Sequence, residues 1–487
     1  MKASYSMDSP SASRVLYRLL PSVDETLGCA EFAPLLYRFP RAVVLRATRA
    51  VLDRLRTDIA RGSHTQSTLQ ELVDTLADAV AREVDQLVRS TLVPVLNATG
   101  VILHTNLGRA PLSVGALAAI VSVAKGYSNL EQDLATGGRG RRERHAEPMM
   151  LHALAALGGG TSEELGERWG LAVVNNCAAA TLLGLNSLAE GGEVLVSRGE
   201  LVEVGGGFRI PEVMRKAGVV LREVGTTNRT RLSDYAEAIH ANTRMILHVH
   251  QSNFSMAGFT AKPGLAELVA LGKRAGVPVF DDQATGLMAR RGSAPLQEES
   301  SLVHSVRSAP DLIAVSGDKL LGGPQCGLLL GRPDLIQTIR KNALCRALRV
   351  DKMTYAALEA TLLSYATHRE EEIPTVWMIR APAEVLRLRC EVLREALAGR
   401  GLEVSVVPAR SVVGGGTAAG KTLDSFALSV RHPVQTASAL LAALRRQSPP
   451  VIARVHDGCV LLDLRTIFPE QDGMLADLLY AAVEAKI

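Results

Sequence analysis

Aromatic residues make up only 4% of this chain of 487 residues, too few for rows of stacking platforms that would read single-stranded RNA base by base. Excess charge is scarce too. Lys and Arg total 54 against 50 Asp and Glu, a net +4, so any site for a polyanion must be local rather than a field of the whole molecule. The six cysteines, Cys29, Cys177, Cys326, Cys345, Cys390 and Cys459, form no C-x-x-C pair. That argues against a zinc or iron–sulfur site and reads as small buried side chains in a reducing compartment. No uninterrupted apolar run reaches membrane length, and the opening MKASYSMDSPSASRVLYRLLP has no apolar signal-peptide core. A cytoplasmic protein with no membrane partner and no DNA partner is expected. Hydrophobic residues at 47% and charged residues at 21% are ordinary for a globular protein, and the length calls for two or three domains.

The chain changes character along its length. Residues 1–92 read as a helical domain and linker. Phe39 to Arg61 sets Val43, Val44, Leu45, Val51, Leu52 and Leu55 beside Arg41, Arg46, Arg49, Arg54 and Arg56, with only Asp53 and Asp58 in opposition. Ser67 to Val88 reads as one acidic amphipathic helix. Over 93–342, short apolar runs alternate with helical stretches. The expected strands are Ala172–Val174, Glu193–Ser197, Val219–Glu223, Met245–Val249, Val277–Phe280, Leu312–Val315 and Gly327–Leu330. The expected helices between them are Thr181–Leu188, Arg209–Ala217, Leu232–Ala238 and Gly264–Ala275. This alternation predicts an α/β fold with a mostly parallel sheet covered on both faces and ligands at the carboxyl ends of its strands. Residues 343–380 read as linker helices, and 381–487 as a small C-terminal α+β domain.

Three short patterns carry chemistry. Ser316-Gly317-Asp318-Lys319 follows one apolar run and leads through a glycine-rich turn to another. A lysine buried there is costly as a cation and becomes a nucleophile toward carbonyls once its pKa falls. Ser-x-x-Lys after a strand is what a pyridoxal 5'-phosphate (PLP) enzyme needs: Lys319 for the Schiff base, and Ser316 within reach of the cofactor phosphate. The run Asn175-Asn176-Cys177-Ala178-Ala179 opens a helix with small residues, so the free amides at Cys177 and Ala178 suit that phosphate. Asp281 and Asp282 end a strand, where either carboxylate could pair with the pyridine nitrogen. A phosphate turn, a strand-end acid and a strand-end lysine, in that order, match the aspartate-aminotransferase-like enzymes of PLP fold type I.

Two glycine-rich runs weigh differently. Gly415 to Thr422 fits the P-loop spacing, but a strand rather than a helix follows it, so it reads as a loop. Gly137 to His145 is basic and could meet phosphates or simply be solvated.

Longer stretches resemble one family, bacterial selenocysteine synthase (L-seryl-tRNA(Sec) selenium transferase). They are Leu19-Pro21-Ser22-Val23-Asp24, Asn97 to Arg109, Tyr127 to Glu131, Asn175 to Ala180, Ser197 to Glu203, Gly225 to Asn228, His250 to Phe254, Ser316 to Gly327 and Leu462 to Thr466. The resemblance spans nearly the whole chain. It implies a PLP enzyme that converts seryl-tRNA(Sec) to selenocysteinyl-tRNA(Sec) with selenophosphate, by β-elimination to an aminoacrylyl-tRNA followed by selenium addition. It also implies an N-terminal domain that binds the tRNA and a homo-oligomer, a ring of dimers that would make a decamer. By the same resemblance Lys319 is the Schiff-base lysine, Asp282 the pyridine partner, and Arg109, Arg346 and Arg349 an anion pocket. Arg346 and Arg349 are one helical turn apart and are expected on one face. The family's D-L-G-S-G stretch is here Asp282-Gln283-Ala284-Thr285-Gly286.

Overall fold

A computed structural model describes residues 10–204, 207–251, 254, 256–290, 296–418 and 420–484. The first nine residues, Ser252 and Asn253 of the His250 to Phe254 stretch, and Ala419 of the P-loop-like run lie outside the described residues. The chain divides into two compact units, Met1–Pro94 and Val95–Ile487.

The first unit is helical and is built on the helix Arg41–Ala60. Val44, Ala47, Val51, Leu52, Leu55 and Ile59 recur every three or four residues and pack with Leu69, Leu76, Val80 and Val84. The arginines fall on the other faces of the helix and are exposed. The acidic stretch is two helices rather than one, Gln66–Asp74 and Leu76–Val88. The break is at Thr75, whose hydroxyl bonds the Glu71 carbonyl at 2.9 Å and offers the backbone an alternative to the helix ladder.

The second unit holds a sheet of seven strands: β1 (Gly170–Val174), β2 (Glu193–Ser197), β3 (Val220–Val224), β4 (Thr243–Val249), β5 (Val279–Asp282), β6 (Leu312–Ser316) and β7 (Gly327–Gly331). Their order is β1-β7-β6-β5-β4-β2-β3. All neighbours are parallel except β7, which runs antiparallel to both β1 and β6. Apolar residues fill both faces. On β6, Leu312 and Ala314 face the helix Cys177–Ala189, while Ile313 and Val315 join Met150, Leu154 and Leu358 on the other side.

Past the sheet, Ala343–Ala347 and Lys352–Ala366 form the helix pair, with Asp351 capping the second. A second sheet follows: β8 (Glu403–Val412), β9 (Thr422–Arg431), β10 (Arg454–His456) and β11 (Cys459–Asp463), ordered β8-β9-β11-β10 and antiparallel throughout. The segment 96–103 is stitched to this lobe. Leu96–Asn97 pairs with Val451–Ile452, and Leu96 and Ala98 lie in the core formed by Leu428, Val430 and Leu462. The P-loop-like run is the turn of the β8–β9 hairpin, and a strand leaves it. Among the described residues no helix is long and apolar enough to cross a membrane.

Candidate active site

The site lies where β1, β5 and β6 end, on the edge of the sheet shared by the carboxyl ends of parallel strands. After β1, Asn176 caps the helix Cys177–Ala189, its side chain accepting from the Ala179 amide at 2.8 Å. The amides of Cys177 and Ala178 are then first-turn donors with no acceptor in the helix, at its positive end. Gly327, which opens β7, presses on this turn: a Cβ there would stand 2.0 Å from the Asn176 carbonyl oxygen.

After β6 the chain makes a tight turn. The Gly317 amide donates to the Cys326 carbonyl at 2.9 Å, and the Leu320 amide to the Thr285 carbonyl at 2.9 Å. A side chain on Gly317 would meet the Cys326 sulfur at 2.4 Å. Lys319 is thereby held inside, 6% exposed, with its Nζ 3.5 Å from the Gly416 carbonyl of the glycine-rich hairpin. Burial lowers its pKa and the Arg109 charge lowers it further, while the acids Asp282 and Asp318 oppose the shift.

At the end of β5 the strand pleat separates the two acids. Asp282 faces the helix Cys177–Ala189. It accepts from the Thr181 hydroxyl at 3.0 Å, and the Cys177 thiol lies 3.7 Å away. Burial raises its pKa to about 6, against the Thr181 hydrogen bond and the Lys319 charge. Asp281 points to the opposite face, toward His248 and Ser305. The strand-end pattern alone had left both acids open, while the resemblance named Asp282; the geometry places only Asp282 beside Lys319 and Cys177.

The other expected residues are placed less uniformly. Arg109, in a left-handed backbone conformation at φ 62°, donates from Nη1 to Asp318 at 2.9 Å. Ser316 also points at Asp318, 3.4 Å away. Arg346 is exposed near the end of its short helix. Arg349 lies beyond that helix, bridging backbone to backbone with Val174 and pairing with Glu131 at 3.7 Å. The expectation that Arg346 and Arg349 share one helical face is therefore corrected: the helix stops at Ala347, and Leu348 turns the chain. Arg109 and Arg349 have separate acidic partners within the chain.

Sequence reasoning missed three contributors. Thr181 carried a signal, since it sits four residues after Cys177 and so on the same helical face. Asp318 stood inside the lysine motif. Gly416 carried none, because only the fold brings a hairpin nearly a hundred residues away against Lys319.

These residues fit PLP. A buried lysine of lowered pKa, a buried acid near it, and a helix start with free amides stand together. Lys319 would carry the cofactor, Asp282 would face its pyridine nitrogen, and the Cys177 and Ala178 amides with Ser316 would hold its phosphate.

Comparison with known proteins gives the same picture. Residues 95–468 match the family described as L-seryl-tRNA selenium transferase (SelA), and residues 17–56 match selenocysteine synthase N terminal. The chain is 43% identical over 480 residues to the L-seryl-tRNA(Sec) selenium transferase of Moorella thermoacetica, covering 98% of each. It is 40% identical over 435 residues to the enzyme of that name from Aquifex aeolicus, covering 89% of this chain and 92% of the other. Among solved structures, a D-glucosaminate-6-phosphate ammonia-lyase aligns with a TM-score of 0.54 at 18% identity, covering 82% of this chain and 98% of the other, a likeness of fold alone.

Proposed function

Because the chain belongs to the L-seryl-tRNA selenium transferase family, we propose that it converts L-seryl-tRNA(Sec) to L-selenocysteinyl-tRNA(Sec), taking selenium from selenophosphate. It is a PLP enzyme of fold type I. The observation that carries the site assignment is Lys319, sealed in a turn that lowers its pKa, with Asp282 close enough for the two charges to act on each other.

When bound, the cofactor supplies an electrophilic carbonyl and an electron sink for the loss of the serine hydroxyl. Lys319 contributes an amine that burial keeps readily neutral, so its lone pair is available to attack a carbonyl and to take the proton from the seryl Cα. Asp282 would hold a proton at the pyridine nitrogen of bound cofactor; burial raises its pKa, a cost that a cationic partner would offset. Arg109, Arg346 and Arg349 bind the selenophosphate anion, with forks suited to phosphoryl oxygens. In the N-terminal unit, the exposed arginines of Arg41–Ala60 contact the tRNA backbone.

The test is selenium transfer with purified protein, PLP, seryl-tRNA(Sec) and selenophosphate, with free serine in parallel. Product from the tRNA-linked substrate alone is expected. Lys319→Ala should lose the absorbance of lysine-bound cofactor and drop turnover by several orders of magnitude. Turnover of free amino acids only would keep the fold and refute the substrate.

A further inference from the structure

We propose that Glu200, His248, Asp281 and Ser305 form a buried charge cluster that positions Asp282 and tunes how strongly the pocket holds positive charge on the bound cofactor. The inference rests on the reading of Asp282 as the partner of the pyridine nitrogen.

The four groups meet on the face of the sheet opposite the Asp282 side chain. His248 on β4 and Asp281 on β5 are registered partners, with His248 Nδ1 2.7 Å from the Asp281 carboxylate. The other Asp281 oxygen accepts from the Ser305 hydroxyl at 2.6 Å. On the far side of the ring, Nε2 lies 3.7 Å from Glu200, whose second oxygen accepts from the Val249 amide at 3.1 Å. All four residues are buried. Two buried carboxylates flank the imidazole and favour its charged form. Burial works against the charge, but Glu200 and Asp281 outweigh it and raise the His248 pKa, with Lys262 acting the other way. Tyr235 also feels Glu200, and His304, with Arg290 near it, feels Asp281 and His248.

A buried triad of this kind is expensive, and apolar residues would fill the same space without cost. Its placement gives it a use. The next registered pair after His248 and Asp281 is Val249 and Asp282, and the His250 amide then donates to the Asp282 carbonyl at 3.0 Å. The cluster therefore fixes the strand end that aims Asp282. It also brings charged groups to within one residue of Asp282, and the Asp281 charge already acts on Asp282 to raise its pKa.

The measurement is the pH midpoint of the bound cofactor's absorbance change in holoenzyme variants, with melting temperature followed alongside. His248→Gln removes the one group of the cluster that can carry a positive charge, so the midpoint should rise by about one pH unit, the size of one added charge acting through protein. Glu200→Gln removes a negative charge and should lower it by a similar amount. Ser305→Ala changes no charge and should leave it in place. A purely structural cluster would change melting temperature without this opposition of sign, and midpoints that stay put or move together overturn the proposal. If His248→Gln does not fold, Glu200→Gln against Ser305→Ala carries the test. Asp282→Asn separates the two readings: if it moves the midpoint while the cluster variants do not, only the cluster fails. If Asp282→Asn leaves the midpoint unchanged, the pyridine reading fails and the proposal with it.

Discussion

Asp282 shows what one side chain can cost and return. Its pKa stands at about 6 instead of the usual 3.8 because burial penalises the carboxylate. The folded protein then keeps this proton to higher pH than the unfolded chain, so stability is lost as pH rises from about 4 to about 6 and stays lost above that. In cofactor-free protein, Asp282→Asn should gain about 3 kcal/mol on wild type across that window, the value of the shift. Urea unfolding at several pH values reads it, and equal slopes with pH would refute it. Adding PLP should close the gap by giving the carboxylate a cationic partner. Nearby, the departure from the family's D-L-G-S-G stretch becomes intelligible. Ala284 stands where that stretch has glycine, and its backbone is left-handed at φ 59°. Gln283, fully buried, ties the turn together, donating to Thr285 and the Ser300 carbonyl at 2.8 Å each and accepting from the Gly286 amide at 2.9 Å. Ala284→Gly should therefore stabilise by about 1 kcal/mol, from relief of the left-handed strain net of the entropy glycine adds to the unfolded chain. An unchanged unfolding midpoint would show that the strain is already relieved. Lysine and acid were legible in the sequence because their chemistry is tied to strand ends. The choice between Asp281 and Asp282 was not legible in the local pattern and came only through the resemblance, since the register of the pleat decides which carboxylate faces the helix.

At the scale of elements, alternation and helical periodicity gave the strands and helices of the large sheet to within a few residues, because those segments are buried on both faces and each local preference agrees with the packing. The misreadings fall where a short polar side chain redirects the backbone. Thr75 splits the acidic stretch, and the turn at Leu348 to Asp351 ends a helix before Arg349. The pairing of residues 96–103 with the C-terminal lobe was beyond any local pattern, being a contact between segments more than three hundred residues apart. The helix Arg41–Ala60 offers a prediction of its own. Arg54 pairs with Glu83 and Arg56 with Asp53, whereas Arg41, Arg46 and Arg49 have no acidic partner among the described residues. Such arginines are free to replace counterions on a phosphate backbone. Arg46→Ala with Arg49→Ala should weaken tRNA(Sec) binding and reduce the slope of log affinity against log salt by about 2, while the absorbance of bound PLP stays as in wild type. A salt slope equal to wild type would remove this helix from the tRNA interface.

At the scale of the whole molecule, the helix Val114–Ala124 poses a problem that one chain does not solve. Its sequence, VGALAAIVSVA, has no charged residue. One side packs on the helix Lys352–Ala366. On the other, Val114, Leu117 and Val121 follow at i, i+3 and i+7, with Val114 84% exposed and the other two about half exposed, and Tyr127 just beyond the helix is fully exposed. A helix apolar on both sides is stable in water only when both are covered. The homo-oligomer implied by the family resemblance would supply the cover: a second copy seated on this face would bury apolar area that a lone chain leaves in water. Leu117→Glu with Val121→Glu places two charges in that interface, where burial would cost several kcal/mol. Sedimentation should then show a smaller assembly than wild type, at unchanged helical circular dichroism. Lys125→Glu, at the same end of the helix but already charged, should leave the assembly intact. A double variant that sediments with wild type would mean that the copies meet elsewhere, and that this face is left for another partner.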